Sequence, residues 1–249
     1  PLWTGALTAP QREGLLAWLR SPQHFATPWP VPTVSRSHPS YDPEQMWRGP
    51  TWVNENYLLV EALRSEDTAL RGLAQNGLVA YGGSVVAHLV ERLGSADDAL
   101  QEALYAVLAR LGEAARAGLL EMLRDGDVAQ QLVALTAVRR LGVVEAVPIA
   151  ADLAATEPRL SELAAQFLLE HPEEAVSCLG ARLSLEDRRL RRVAVELLAR
   201  IGEPALDTLG AIALEGPTRA RLAAVRALSL VGGDRARLAV SVAMSDPEP

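Results

Sequence analysis

A chain of 249 residues, 49% of them hydrophobic, can bury a sizeable core as one large domain or two smaller ones. Its formal charge of −7 argues against nucleic acid or an anionic membrane as its main partner. All 24 basic residues are arginine, which excludes lysine Schiff-base chemistry and a phosphate-loop lysine, and the single cysteine, Cys178, excludes an internal disulfide.

No apolar run approaches the roughly 18–20 residues that span a bilayer, and no basic-then-apolar leader opens the chain. The expectation is a cytoplasmic protein with no membrane partner.

Composition changes along the chain. All five tryptophans and nine of the sixteen prolines fall in the first 52 residues, which marks a boundary near residue 65 and predicts two parts, 1–64 and 65–249. Thr8-Ala9-Pro10 reads as a helix start, with the hydroxyl at the N-cap and proline in the first turn. Leu15, Leu16, Trp18 and Leu19 then form a short apolar face that ends near Arg20. Prolines at 22, 28, 30, 32, 39, 43 and 50 rule out a helix or a central strand over 21–50. Phe25, Trp29, Tyr41 and Trp47 predict that this long loop is packed rather than loose. From Thr51 a helix is expected to run to about Arg64 and to pack as the first layer of the 65–249 part.

From residue 65 the sequence repeats. Gly82, Gly112, Gly142, Gly202 and Gly232 lie on a grid of thirty residues, with Pro172 at the remaining node. Each closes an apolar helix, where glycine suits a left-handed backbone. Four residues upstream the column reads Leu78, Leu108, Val138, Leu168, Leu198, Leu228; eight upstream it reads Ala74, Leu104, Ala134, Ala164, Ala194, Ala224. Fifteen upstream stand Asp67, Asp97, Asp127, Glu157, Asp187 and Pro217, acids that complement a helix's first turn. A second helix follows each node, so each unit is a helical hairpin that must stack on its neighbours to bury its face.

The pattern, as in Leu119–Asp127 followed by Ala137–Gly142, resembles the short HEAT-like repeats. The predicted class is therefore all-α: an α-α superhelix of about six thirty-residue hairpins behind a Pro/Trp-rich loop-plus-helix segment. Such arrays are mostly scaffolds, so the resemblance implies a protein partner on the solenoid surface. Ser245-Asp246-Pro247 falls where a further first helix would start.

The chemically dedicated stretch is Trp47-Arg48-Gly49-Pro50-Thr51-Trp52-Val53-Asn54-Glu55-Asn56-Tyr57. With Ser37-His38-Pro39-Ser40-Tyr41-Asp42-Pro43 before it, and Pro1-Leu2-Trp3, Pro10-Gln11 and Phe25-Ala26-Thr27-Pro28 further upstream, it resembles the late segment of family 63 glycoside hydrolases and the related mannosylglycerate hydrolases. These are inverting enzymes on an (α/α)6 barrel, and the likeness covers about residues 1–80. It implies that Trp47, Arg48, Trp52 and Asn54 border a sugar pocket, and that a sugar or glycoside is a partner. The side chains suit that role: aromatic faces meet sugar C–H surfaces, while Arg and Asn direct donors at hydroxyls. Read without the resemblance, the two tryptophans are core anchors and Arg48 an ion-paired surface residue.

Inversion needs two carboxyl groups about 6.5–9.5 Å apart. The resemblance implies an acid upstream of this segment and a base in a Glu-Tyr-aromatic motif after it. Residues 82–93 hold no such motif, and Glu55 stands where the family has an apolar residue. The catalytic residues are therefore unassigned. The expected function is a binding scaffold fused to a partial sugar site, without hydrolase activity in this chain alone; the alternative is a fragment of a complete inverting α-glycosidase.

His24, His38, His88 and His171 show no metal-ligand spacing, so no metal or other cofactor is expected. Arg182, Arg188, Arg189, Arg191 and Arg192 are interleaved with Glu186, Asp187 and Glu196, which predicts a solvated, salt-bridged face rather than a nucleic-acid surface. Cys178 reads as core filler.

Overall fold

The computed structural model describes residues 8–25, 34–42 and 59–245. Among these every regular element is helical: thirteen α-helices described from end to end, the helical residues 59–62, and three short 3-10 turns. The class is all-α, as the periodicity predicts.

Helix α1 (Ala9–Arg20) starts at the predicted Thr8-Ala9-Pro10. Gln11 Oε1 accepts hydrogen bonds from the Thr8 amide and hydroxyl, both at 3.0 Å, and so closes the first turn. The described parts of the proline-rich stretch, 21–25 and 34–42, hold turns and no helix. Residues 59–62 are helical, and the predicted start of that helix at Thr51 lies outside the described residues.

The chain divides into two compact units, Pro1–Leu119 and Leu120–Pro249. The first contains α1, α2 (Thr68–Ala80), α3 (Val86–Leu93), α4 (Asp98–Leu111) and the start of α5 (Glu113–Asp125). Val60, Ala62 and Leu63 are buried here, and a Cβ on Gly77 would sit 3.3 Å from Leu59 Cδ1, so residues 59–63 pack directly on α2.

The second unit continues with α6 (Val128–Leu141), α7 (Val147–Thr156), α8 (Ser161–Glu170) and α9 (Pro172–Arg182). It ends with α10 (Arg188–Ile201), α11 (Leu206–Glu215), α12 (Thr218–Val231) and α13 (Gly233–Met244). Here α6, α8, α10 and α12 lie side by side as one layer, and α7, α9, α11 and α13 as the other. A single hairpin shows half its apolar surface to water; the neighbouring hairpin covers it.

The grid works as sterics demand. The column four residues before each node is at most 1% exposed from Leu78 to Leu228, and so is the column eight before, from Ala74 to Ala224. The five node glycines all have positive φ, between +56° and +77°, where a side chain would strain the turn. At the sixth node Pro172 opens α9 instead, with His171 as its cap.

The acidic column is placed one step differently from the expectation. Asp67, Asp97, Asp127 and Asp187 are N-caps rather than first-turn residues, and their carboxylates accept backbone amide hydrogens two or three residues on. Glu157 is one methylene longer and does not cap a helix start; it ends α7, and a turn over 158–160 delays α8 to Ser161. Pro217 caps α12 without any side-chain bond.

A further column recurs four residues after each acidic position. Arg71 donates to Ser65 O at 3.0 Å, Gln101 to Ala96 O at 3.1 Å, and Gln131 to Leu123 O at 3.0 Å. Ser161 donates to Ala154 O at 2.9 Å and Arg191 to Leu185 O at 2.6 Å. Each first helix thereby satisfies a carbonyl left over by the preceding element, which has no intrahelical donor of its own.

Candidate functional site

The four residues expected to line a sugar pocket, Trp47, Arg48, Trp52 and Asn54, lie outside the described residues, as does Glu55. Both flanks of the stretch are described, and each is held by a side-chain network.

On the upstream side the chain turns off α1. The His24 amide donates to Ser21 O at 2.9 Å, and the Arg36 amide donates to His24 O at 2.9 Å, tying residues 34–42 to this turn. Within 34–42 the His38 amide bonds Ser35 O (2.8 Å) and the Tyr41 amide bonds His38 O (2.9 Å), two tight turns around Pro39. The Ser40 amide donates to His38 Nδ1 at 3.1 Å, so that nitrogen is the unprotonated one.

His24 Nδ1 meets two hydroxyls, Ser37 Oγ at 2.7 Å and Ser35 Oγ at 3.1 Å, and the two hydroxyls are 2.9 Å apart. Ser35 is buried. The imidazole stacks on Trp18, with ring centroids 4.2 Å apart and planes 9° from parallel. A serine beside a histidine suggests nucleophilic catalysis, but that chemistry also needs a third group to orient the base. Among the described residues no carboxylate bonds the His24 ring. The cluster is a pinned polar corner against an aromatic plate.

On the downstream side Glu61 pairs with Arg92 and, at 3.2 Å, with Arg64, whose other arm reaches Asp97. Asp97 also accepts the Leu100 amide hydrogen, so the chain just after the helical residues 59–62 is anchored to the cap of α4. Arg12 on α1 reaches Asp67 at 2.8 Å, the cap of α2. The backbone amides of Leu70 and Ala69, then Arg12, hold the Asp67 carboxyl below its ordinary value, and the Leu100 amide, then Arg64, does the same for Asp97. A glycosidase general acid needs the opposite shift.

In the second unit a groove of about 440 Å³ lies between α9 and α11, lined by Val176, Ser177, Gly180, Thr208 and Ile212, with Glu173 at its rim. The basic cluster does not form one patch. Arg182 is 14% exposed and bound to Asp152, Arg191 turns back onto Leu185 O, and Arg192 pairs with Glu196 at 3.7 Å. Cys178 is only half-buried rather than core: its Sγ lies 2.7 Å from Arg182 Nη1, and burial pushes its thiol above the ordinary value.

Among the described residues no group of three or more His, Cys, Asp or Glu side chains could hold a metal ion, and no helix is long and apolar enough to cross a membrane. The carbonyl donors four residues after each acidic position and the His24 cluster escaped the sequence reading. The donors carried a signal in their shared register; Arg, Gln and Ser share only the ability to donate, so residue type hid it.

Residues 1–127 match the mannosylglycerate hydrolase MGH1-like glycoside hydrolase domain. The match runs beyond the Trp-Arg-Gly-Pro-x-Trp stretch and takes in the hairpins at Gly82 and Gly112. No curated protein matches the chain. Among solved structures an engineered protein matches at 19% identity and a TM-score of 0.31, covering 77% of this chain. The chain spans 62% of that protein's length, and a similarity of this size bears on neither fold nor function.

Proposed function

The chain belongs to the mannosylglycerate hydrolase MGH1-like glycoside hydrolase family, and on that premise we propose that it is a carbohydrate-binding portion of such a hydrolase carried on a HEAT-like scaffold. The observation that carries this reading is the family match over residues 1–127, which contains the whole Trp47–Tyr57 stretch. Trp47 and Trp52 supply faces for the sugar's C–H surface, and Arg48 and Asn54 supply directed donors. Three described carboxylates downstream of that stretch support binding without turnover. Glu61 is committed to two arginines, and Asp67 and Asp97 are committed to helix caps.

The thirty-residue hairpins act as HEAT-like repeats whose surface takes a protein partner. The open groove between α9 and α11 supports that part of the reading. A cytoplasmic location goes with it, since the fold closes without a disulfide.

Titration with mannosylglycerate or an α-glucoside, followed by tryptophan fluorescence, tests the proposal. Saturable quenching that Arg48→Ala removes, with no product formed, is the expected result. Turnover that Arg48→Ala abolishes would replace it with the second reading, a fragment of a complete inverting α-glycosidase with a repeat extension. That alternative draws on the same family match.

A further inference from the structure

We infer that Trp18, backed by His24, is a stacking platform for the apolar face of a pyranoside, a sugar-binding position on α1 that lies outside the Trp47–Tyr57 stretch in sequence. The inference rests on the carbohydrate reading above and adds to it a place and a residue. Trp18 is 50% exposed, and it is the one aromatic side chain among the exposed large hydrophobic residues described. A surface indole usually samples several rotamers, and ordering it on binding opposes affinity. Here the ordering is already present. One ring face lies flat on the His24 imidazole at 4.2 Å, and that imidazole is fixed by Ser37 Oγ at 2.7 Å and by buried Ser35 at 3.1 Å.

The space beside the ring is open. In a helix a side chain leans toward the N-terminus, over the residue four positions earlier. One turn before Trp18 stands Gly14, where an added Cβ would meet no atom within 4 Å, the indole included. The helix surface one turn before the indole is therefore bare. The exposed Gln23 side chain and the exposed Ser37 hydroxyl, which also bonds His24 and Ser35, stand at the neighbouring turns and are polar groups of the kind sugar hydroxyls meet. An ammonium ligand would call for several aromatic rings around one cation, and among the described residues Trp18 offers one indole backed by an imidazole.

The test resolves the tryptophans individually. Indole N–H resonances of the full chain are followed by NMR during titration with methyl α-glucoside, and the Trp18 signal is identified from Trp18→Phe. The Trp18 signal should shift saturably, and the shift should persist in Trp52→Ala. Gly14→Leu covers the bare surface while favouring the helix. It should weaken the Trp18 response about tenfold, the size expected when one ring face loses its contact, with the circular dichroism unchanged.

If the Trp47 and Trp52 signals move while Trp18 stays still, the platform is wrong and the carbohydrate reading stands. Loss of the Trp18 shift in Trp52→Ala would make it a reporter of the other site and would equally overturn the platform. If no indole responds, both the platform and the carbohydrate reading fall.

Discussion

Replacing Arg182 by alanine should destabilise the second unit by about 3 kcal/mol, most of it from sources other than its ion pair. Arg182 sends Nε and Nη2 to Asp152 Oδ1 at 3.0 and 2.8 Å, Nη2 to Pro148 O at 2.7 Å, and Nη1 to Cys178 O at 3.2 Å. Its side chain is 14% exposed, whereas that of Asp152 is 54% exposed. Once unpaired, Asp152 returns to water, so the ion pair itself contributes only about 0.5–1 kcal/mol. The rest comes from charged-donor bonds to two carbonyls, about 1.5 kcal/mol net, and from the buried methylene stem, about 1 kcal/mol. Urea denaturation of Arg182→Ala, Asp152→Ala and the double variant separates these parts. The coupling energy should stay below about 1 kcal/mol, and Arg182→Lys should recover little, because an ammonium cannot reproduce the fork. An Asp152→Ala variant as unstable as Arg182→Ala would show that the charge pair dominates and would refute this account.

Position on the grid should set the cost of losing a leucine. Leu168→Ala, fully buried, should cost about 2–5 kcal/mol, and Leu230→Ala, 58% exposed, should stay within about 0.5 kcal/mol by the same denaturation assay. Gly142→Ala, at φ +64°, should cost about 1 kcal/mol through the left-handed backbone. Asp67 and Asp97 are depressed below 3.8, so the stability they add is complete above that pH and fades as pH falls through their folded-state values. Asp97→Asn keeps a capping side chain and should flatten the acid limb of a pH–stability curve, whereas Asp97→Ala should lower the curve at neutral pH. The Cys178 thiol, raised above 9.0 first by burial, should alkylate slowly at pH 8, and its rate should still be rising with pH past 9 rather than levelling off there.

Much of the repeat architecture was legible because single side chains are forced by local geometry. A glycine every thirty residues marks a backbone that must turn left-handed, and Leu168 or Leu198 has only one interior to enter. Cap chemistry was half legible: aspartates announced helix starts, but whether a carboxylate caps or merely sits in the first turn depends on backbone angles that composition does not reveal. Glu157 illustrates the limit: its carboxylate accepts an amide two residues on, from Arg159 at 3.1 Å, yet the helix starts only at Ser161. The His24–Ser35–Ser37 corner was not legible at all. Its members are eleven to thirteen residues apart around a proline-rich loop, and nothing periodic links them. The pocket-lining role of Trp47, Arg48, Trp52 and Asn54 came from resemblance, whose family the match over residues 1–127 bears out.

The side chains that bond back across each turn also govern how such a chain can change its size. The donor at these junctions keeps one register of the thirty-residue period, while its acceptor does not: Arg71 and Arg191 reach back six residues, Gln101 five and Gln131 eight. A deletion or duplication of thirty residues in frame would therefore leave a donor in place at the start of the next first helix. The acceptor needs only to lie within reach of that side chain. Genetic slippage by whole periods would thus meet a junction already half provided for, and the donor column favours changes of length by whole periods.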